Sequence, residues 1–359
     1  MQKIADSHVH IRFTRKEEIT RMLDDLAAVG VTDACLLSLP YHGASENLAA
    51  LYHKMHYTKM DVRAFAGLHL TDRYATIAPE VQAKALLDMG FDGLKMRYAP
   101  EFPQFYKRRI NEKCLDPLFT LMEERDVPMN IHVNDPEEFW RTGGNYSASG
   151  YITKQELYAD IFDVLDRHPA LRVTFAHFFF LSNSPFEAER VMQTYPNVWF
   201  DLTPGVEMYY NFDNNLPYWH DFFTRYKDRI MFGTDSNTYK TSNQDLVRLV
   251  YRKLTESEDL FTQRCYDHDF VVRGLALDAE TVDHICYRNY HARLGAKVPV
   301  DIERFYDGCA RVLHDIETKP FDPYYLAGAH LFTHLAEDPY QTIPADFCRK
   351  VLQERREQS

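Results

Sequence analysis

Near the start of the chain two histidines stand two apart, in Asp6-Ser7-His8-Val9-His10-Ile11. In a strand, residues i and i+2 project to the same side, so His8 and His10 share a face. Neighbouring imidazoles either repel as cations or share a positive charge, and a metal ion is the usual one. The chain has 16 histidines, so a chance His-x-His is expected and the pattern gains meaning only from its company. That company is Lys95 in GLKMR, His132 in NIHVND, His177 in FAHF and Asp235 in FGTDS. Imidazole nitrogens and a carboxylate suit a divalent cation, and the same groups suit proton transfer. Each has a plainer reading alone. A single strand-end His is commonly a hydrogen-bonded structural residue, Asp after Gly-Thr is often a helix N-cap, and a lysine can simply reach solvent.

The elements that must position these residues alternate along the chain. Strand-like runs occur at KIADSHVHI, VTDACLLSLP, VRAFAGLHL, FDGLKM, VPMNIHV, LRVTFAHFFF, NVWFDLT and RIMFGTD. Each is followed by a stretch with helical spacing, and two of the early ones are closed by Gly30 and Gly90. Several strands are continuous apolar runs, as strands buried on both faces should be. Eight such units predict an α/β fold, a (β/α)8 TIM barrel. An open doubly wound sheet fits less well, because no Gly-rich phosphate loop follows any strand. The residues singled out above then fall on strand ends, five of the eight, where barrel chemistry is placed. From about 255 onward the pattern changes, and DAETVDHICYRNYHARLG and stretches near 299–317 and 344–357 are read as helical additions. The division expected is a barrel over 1–295 with a helical extension over 296–359 packed on it.

Composition narrows the partners. The net charge is -12, which argues against a general nucleic-acid binder or an anionic membrane surface. No run approaches the roughly 20 apolar residues of a membrane helix, and no signal-peptide core is evident. The six cysteines are scattered without a Cys-x-x-Cys, so neither a disulfide framework nor a zinc knot is expected. The expectation is a cytoplasmic protein acting on a small molecule, with a homodimer compatible with the added helices.

The stretches DSHVH, GLKM, NIHVNDPEEFW, VTFAHF and MFGTDS together resemble the amidohydrolase superfamily of metal-dependent barrel hydrolases, over residues 4–295. Within it the chain is similar to the amidohydrolase-related branch, which also holds nonoxidative decarboxylases. The resemblance implies that His8, His10, His132 and Asp235 bind a divalent metal, one zinc in the first instance. His177 would orient the attacking water or the substrate carbonyl. Metal-bound hydroxide would cleave an amide, lactone or ester, with Asp235 moving the proton. In binuclear members a strand-four lysine is carboxylated and bridges two metals, the role open to Lys95; otherwise Lys95 is a cation near the substrate. The alternative activity is metal-dependent decarboxylation of a small carboxylic acid on the same fold, and a catalytically silent barrel is the third reading.

Softer candidates surround these. Arg97 shares parity with Lys95 and could bind a substrate carboxylate. Asp6 could support the site from below, and Asn134 and Asp135 could orient neighbours of His132, though Asn-Asp-Pro is also a turn signature. Glu207, Tyr209 and Tyr210 lie in the loop after strand seven. His42 and His69 are read as structural. The insertion FWRTGGNYSASGY is either a lid or a surface contact.

Overall fold

Every strand expected from the apolar runs forms, and all lie in one parallel sheet. A computed structural model describes residues 3–11, 15–39, 44–68, 77–148, 150–205, 207–238, 243–265, 267–318 and 342–358. The strands are β1 (Ile4–Ile11), β2 (Val31–Ser38), β3 (Asp61–Gly67), β4 (Gly93–Tyr98), β5 (Pro128–Val133), β6 (Arg172–Phe175), β7 (Val198–Asp201), β8 (Ile230–Met231) and β9 (Ser236–Asn237). The helices outside them are α1 (Lys16–Ala28), α2 (Ala44–His56), α3 (Pro79–Met89), α4 (Glu101–Tyr106), α5 (Asp116–Glu124), α6 (Lys154–Arg167), α7 (Pro185–Thr194), α8 (Met208–Asp213), α9 (Leu216–Arg225) and α10 (Asn243–Thr255). All eight residues of β1 are buried, because helices cover the outer face and side chains fill the inner one.

The sheet order runs β8-β7-β6-β5-β4-β3-β2-β1-β9. Its two ends are consecutive in the chain, so β8 and β9 are halves of one strand broken by residues 232–235. The first half pairs with β7, Asp201 opposite Met231. The second half pairs with β1, Val9 opposite Ser236 and His10 opposite Asn237. Across the break, Ser7 N donates to Phe232 O at 3.0 Å and Asp235 N to His8 O at 3.0 Å. The sheet thereby closes into a (β/α)8 barrel.

The N-terminal mouth is plugged. Helices α11 (Ala279–Asp283) and α12 (Asn289–Leu294) follow the barrel, and Tyr290 and Leu294 pack with Ala5, Cys35, Leu37, Phe65 and Met231 in one apolar cluster. The Asn289 amide holds the plug by donating to Lys227 O at 2.5 Å and Ile230 O at 2.6 Å. Polar chemistry is left to the other end.

Between α10 and α11 lies an element that the sequence pattern did not assign. β10 (Leu260–Cys265) and β11 (His268–Arg273) form an antiparallel hairpin, Leu260 opposite Arg273. Phe261, Phe270 and Val272 are buried while Leu260 and Val271 are exposed, the alternation of a half-covered strand. Helices α13 (Ile302–Thr318) and α14 (Thr342–Gln358) do form where helical spacing was read.

The extension is pinned to the barrel through a buried ion pair. Lys54 Nζ lies 2.6 Å from Asp92 Oδ2, both side chains almost wholly out of water, and Lys54 also donates to Gly90 O at 2.7 Å. Asp92 accepts from Ala64 N and, from the extension, Val298 N, each at 2.9 Å. Gly90 ends α3 at φ 114, and a Cβ there would lie 2.6 Å from Pro299 O, so the same turn needs glycine on two counts. Removing one partner of such a pair strands a buried charge. Asp92→Ala is expected to lose about 3–5 kcal/mol of stability. Urea unfolding would show this as a lower midpoint at unchanged slope, whereas a midpoint equal to the parent's would mean the pair contributes nothing.

Candidate metal centre

The site begins with a register slip. Asp6 faces Ala34 and Val9 faces Leu36, so three steps along β1 match two along β2. A bulge of this kind re-aims the side chains after it. It delivers His8 and His10 together, with Nε2 atoms 3.0 Å apart. Their tautomers are fixed from behind. His8 Nδ1 donates to Asp201 Oδ2 at 2.8 Å, and His10 Nδ1 to Leu37 O at 3.1 Å. Both partners accept only, so each ring carries its proton on Nδ1 and turns an Nε2 lone pair to the other. Two lone pairs at that distance repel unless a positive charge lies between them. Asp235 Oδ1 is 3.3 Å from His10 Nε2 and 3.8 Å from His8 Nε2. His8, His177 and Asp235 present ligand atoms within 4.8 Å of one another. This donor set fits a divalent cation.

Asp201, at the end of β7, organises the cluster and was not among the residues singled out from the sequence. Its Oδ2 accepts from His8 Nδ1 and, at 3.1 Å, from Asn130 Nδ2. Its Oδ1 accepts from His177 N at 2.9 Å and Thr203 N at 3.2 Å. Burial alone would push this carboxyl up, but His8, His177 and Thr203 hold it well below the usual carboxylate range. Lys95 Nζ donates to Asn130 Oδ1 at 2.6 Å and lies 3.4 Å from His8 Nε2. Burial pulls its pKa down to about 8, with Asp201 and Asp235 opposing. Burial, then the neighbouring His132, lowers His177 to about 3. Asp6 is raised to about 7 by burial; it ties the strands together, accepting from His8 N at 3.1 Å and from the Thr234 hydroxyl at 2.5 Å.

His177 sits in a strained turn. His177, Phe178, Phe179 and Phe180 have φ of 54, 55, 57 and 51°, four consecutive left-handed residues without a glycine. Each such residue costs roughly 1–2 kcal/mol. The turn persists because Phe178, Phe179 and Phe180 are buried: Phe179 stacks on Phe175 at 3.8 Å and Phe178 on Phe223 at 5.7 Å between centroids. His177 Nδ1 meets Thr203 O at 3.2 Å, which leaves Nε2 for the cluster.

His132 is placed beside the cluster, its ring 4.8 Å from that of His177, with Nε2 turned 3.2 Å from Asp135 Oδ1. Asp135 and Glu101 share the Tyr146 hydroxyl, at 2.6 and 2.7 Å. Arg97 grips Glu101 in two bonds of 2.8 and 3.1 Å and reaches Asp135 at 3.4 Å. The insertion thus sends one buried residue, Tyr146, into the barrel mouth. Asn134, at φ 76, donates to Lys154 O at 2.9 Å and shapes the turn. Tyr209 is buried and donates to Leu202 O at 2.9 Å; the Tyr210 hydroxyl meets His268 at 3.1 Å. Glu207 keeps one buried oxygen without a hydrogen bond. His42 and His69 lie outside the described residues.

The family model described as Amidohydrolase matches residues 15–289. Among solved structures, the chain is similar to a probable 2-pyrone-4,6-dicarboxylic acid hydrolase from Acinetobacter baumannii, TM-score 0.51 and 11% identity over 82% of this chain and 99% of that one. It is similar to 2,6-dihydroxybenzoate decarboxylase from Rhizobium, TM-score 0.53 and 15% identity over 82% and 99%. A manganese complex of 5-carboxyvanillate decarboxylase from Novosphingobium aromaticivorans gives 0.52 and 14% over 82% and 96%. No curated protein sequence matches.

Two expectations follow. Asp201→Asn keeps the size but removes the charge behind His8, and should weaken metal binding about 10–100-fold. Competition against a chelating dye measures this; unchanged affinity would remove Asp201 from the site. Phe179→Gly relieves one left-handed residue yet deletes a buried ring worth about 3–5 kcal/mol, so packing wins over strain. Calorimetry should find a lower melting temperature; a rise would reverse that ordering.

Proposed function

Because the chain belongs to the amidohydrolase family, we propose that it is a metal-dependent hydrolase cleaving an amide, lactone or ester of a small molecule. The observation that carries this is the pair of His8 and His10 Nε2 lone pairs, 3.0 Å apart beside the Asp235 carboxylate. We assign a single zinc to His8, His10, His132 and Asp235. A divalent cation there supplies Lewis acidity that brings the pKa of water from 15.7 towards about 7.

The remaining work falls to the chain. Asp235 takes a proton from the attacking water and returns it to the leaving group. His177, kept neutral by burial, orients the water or the substrate carbonyl. Arg97 was expected to bind a substrate carboxylate; its pairing with Glu101 and Asp135 leaves this role to Lys95 first. Decarboxylation of a small acid is the second reading. It is favoured by Lys95, a buried ammonium 3.4 Å from His8 Nε2, where a substrate carboxylate would be attracted. No described helix is long and apolar enough to cross a membrane; a small-molecule substrate, a cytoplasmic location and a homodimer stay part of this reading.

Elemental analysis of protein purified without chelators tests it. We expect about one equivalent of metal per chain, lost in His132→Ala. Two equivalents would recast Lys95 as a carboxylated bridge. No metal after reconstitution would overturn the proposal, and full occupancy in His132→Ala would remove that ligand.

A further inference from the structure

A cavity of about 350 Å³ opens between the N-terminal parts of α6 and α7. Lys154, Tyr158, Phe162, Phe180, Asn183 and Ser184 are among its walls. Its size falls within the range of small-molecule sites. It is built on the same loops as the metal centre but lies behind Phe180. That ring forms one wall of the cavity and also lies 5.3 and 5.1 Å from the His132 and His177 rings, centroid to centroid.

The telling residue is Lys154. It is 7% exposed, yet the groups around its ammonium are poor partners. Phe180 O is at 3.5 Å and Glu137 Oε2 at 3.7 Å. An ammonium has three protons to place, and a buried one is costly unless it is paired and hydrogen-bonded. Two carboxylates also line the cavity: Glu137, 48% exposed and facing the Lys154 ammonium at 3.7 Å, and Glu187, held by Arg190 at 2.9 Å. Glu207 and Asp135 add negative charge near Lys154, so an incoming anion has to displace the long Glu137 contact to pair with it. Tyr158, Phe162 and Phe180 make the wall partly aromatic, beside Gln155, Ala159, Leu181, Asn183 and Ser184; Phe162 is itself stacked on Tyr195 at 5.6 Å, with Arg190 over its ring at 4.8 Å. Tyr158 is fixed by donating to Phe179 O at 2.9 Å.

We propose that this cavity is a binding site for a small aromatic or apolar carboxylate, whose anionic end pairs with Lys154 and whose ring lies against Phe162 and Phe180. The site is separate from the metal cluster, and its existence does not depend on the reaction proposed above.

Calorimetric titration of the metal-loaded full chain with benzoate, benzamide and benzylamine tests this. Benzoate should bind saturably, and at least tenfold more tightly than the neutral amide or the amine. Lys154→Met, which keeps the stem and deletes the charge, should weaken benzoate at least tenfold. Ala159→Trp, at an exposed helical position lining the cavity, should block it by filling the mouth; it serves also if Lys154→Met fails to fold. Benzoate affinity unchanged in both variants would place the ligand elsewhere, including at the metal cluster, and overturn the proposal. Equal or tighter binding of benzamide or benzylamine, or no saturable benzoate binding, would overturn it too.

Discussion

One buried carboxylate organises the barrel mouth. Asp201 accepts four hydrogen bonds, from His8, Asn130, His177 and Thr203. Through Asn130 it also sets Lys95. Strands one, five and seven and the turn after strand six therefore meet on a single side chain. A charge so far from water survives only because every lone pair is used. The same bonds that stabilise it decide which ring nitrogen His8 turns towards His10. The tautomer, the orientation and the basicity of the cluster are one problem with one solution.

Around that carboxylate, regular structure is given up at the candidate site. β1 slips register between Asp6 and Val9, strand eight breaks over residues 232–235, and the chain after β6 winds left-handed through His177. Asp235 itself has φ 57. Such departures cost free energy and persist only where the surroundings over-determine them. Here the surroundings are buried phenyl rings, the Asp6–Thr234 link and the plugged floor. The regular part of the barrel holds its irregular end in place.

Much of this was legible in the residues. The continuous apolar runs mark strands buried on both faces, and they give the barrel and its active end. His-x-His placed two imidazoles on one face because a strand has period two, and the register slip between Asp6 and Val9 does not separate their Nε2 atoms. Asp201 was not found because a lone acid ending NVWFD has no spacing pattern in sequence; its partners come from strands one and five, the turn after strand six and its own following loop. The left-handed turn was hidden for a related reason, since three phenylalanines carry no glycine signal. The hairpin at 260–273 was not assigned because its short strands, one face solvated, lack the long apolar run that marked the others. Arg97 shows the limit of parity: Glu101, at the start of α4, and Asp135, just after β5, claim its guanidinium.

The way the barrel closes has a topological consequence. Ser7 and Phe232, 225 residues apart in the chain, are hydrogen-bonded neighbours along its seam. His8 and His10 stand on one lip of that seam and Asp235 on the other. A cation held by both lips, as proposed above, would act as a clasp on a very long loop. Loop closure of that length is among the slowest and entropically most demanding events in assembling a chain. Occupancy of the clasp then adds free energy to the closed form in proportion to the logarithm of ion concentration over dissociation constant. The supply of a trace element would thereby regulate how much intact barrel exists, as well as what it catalyses.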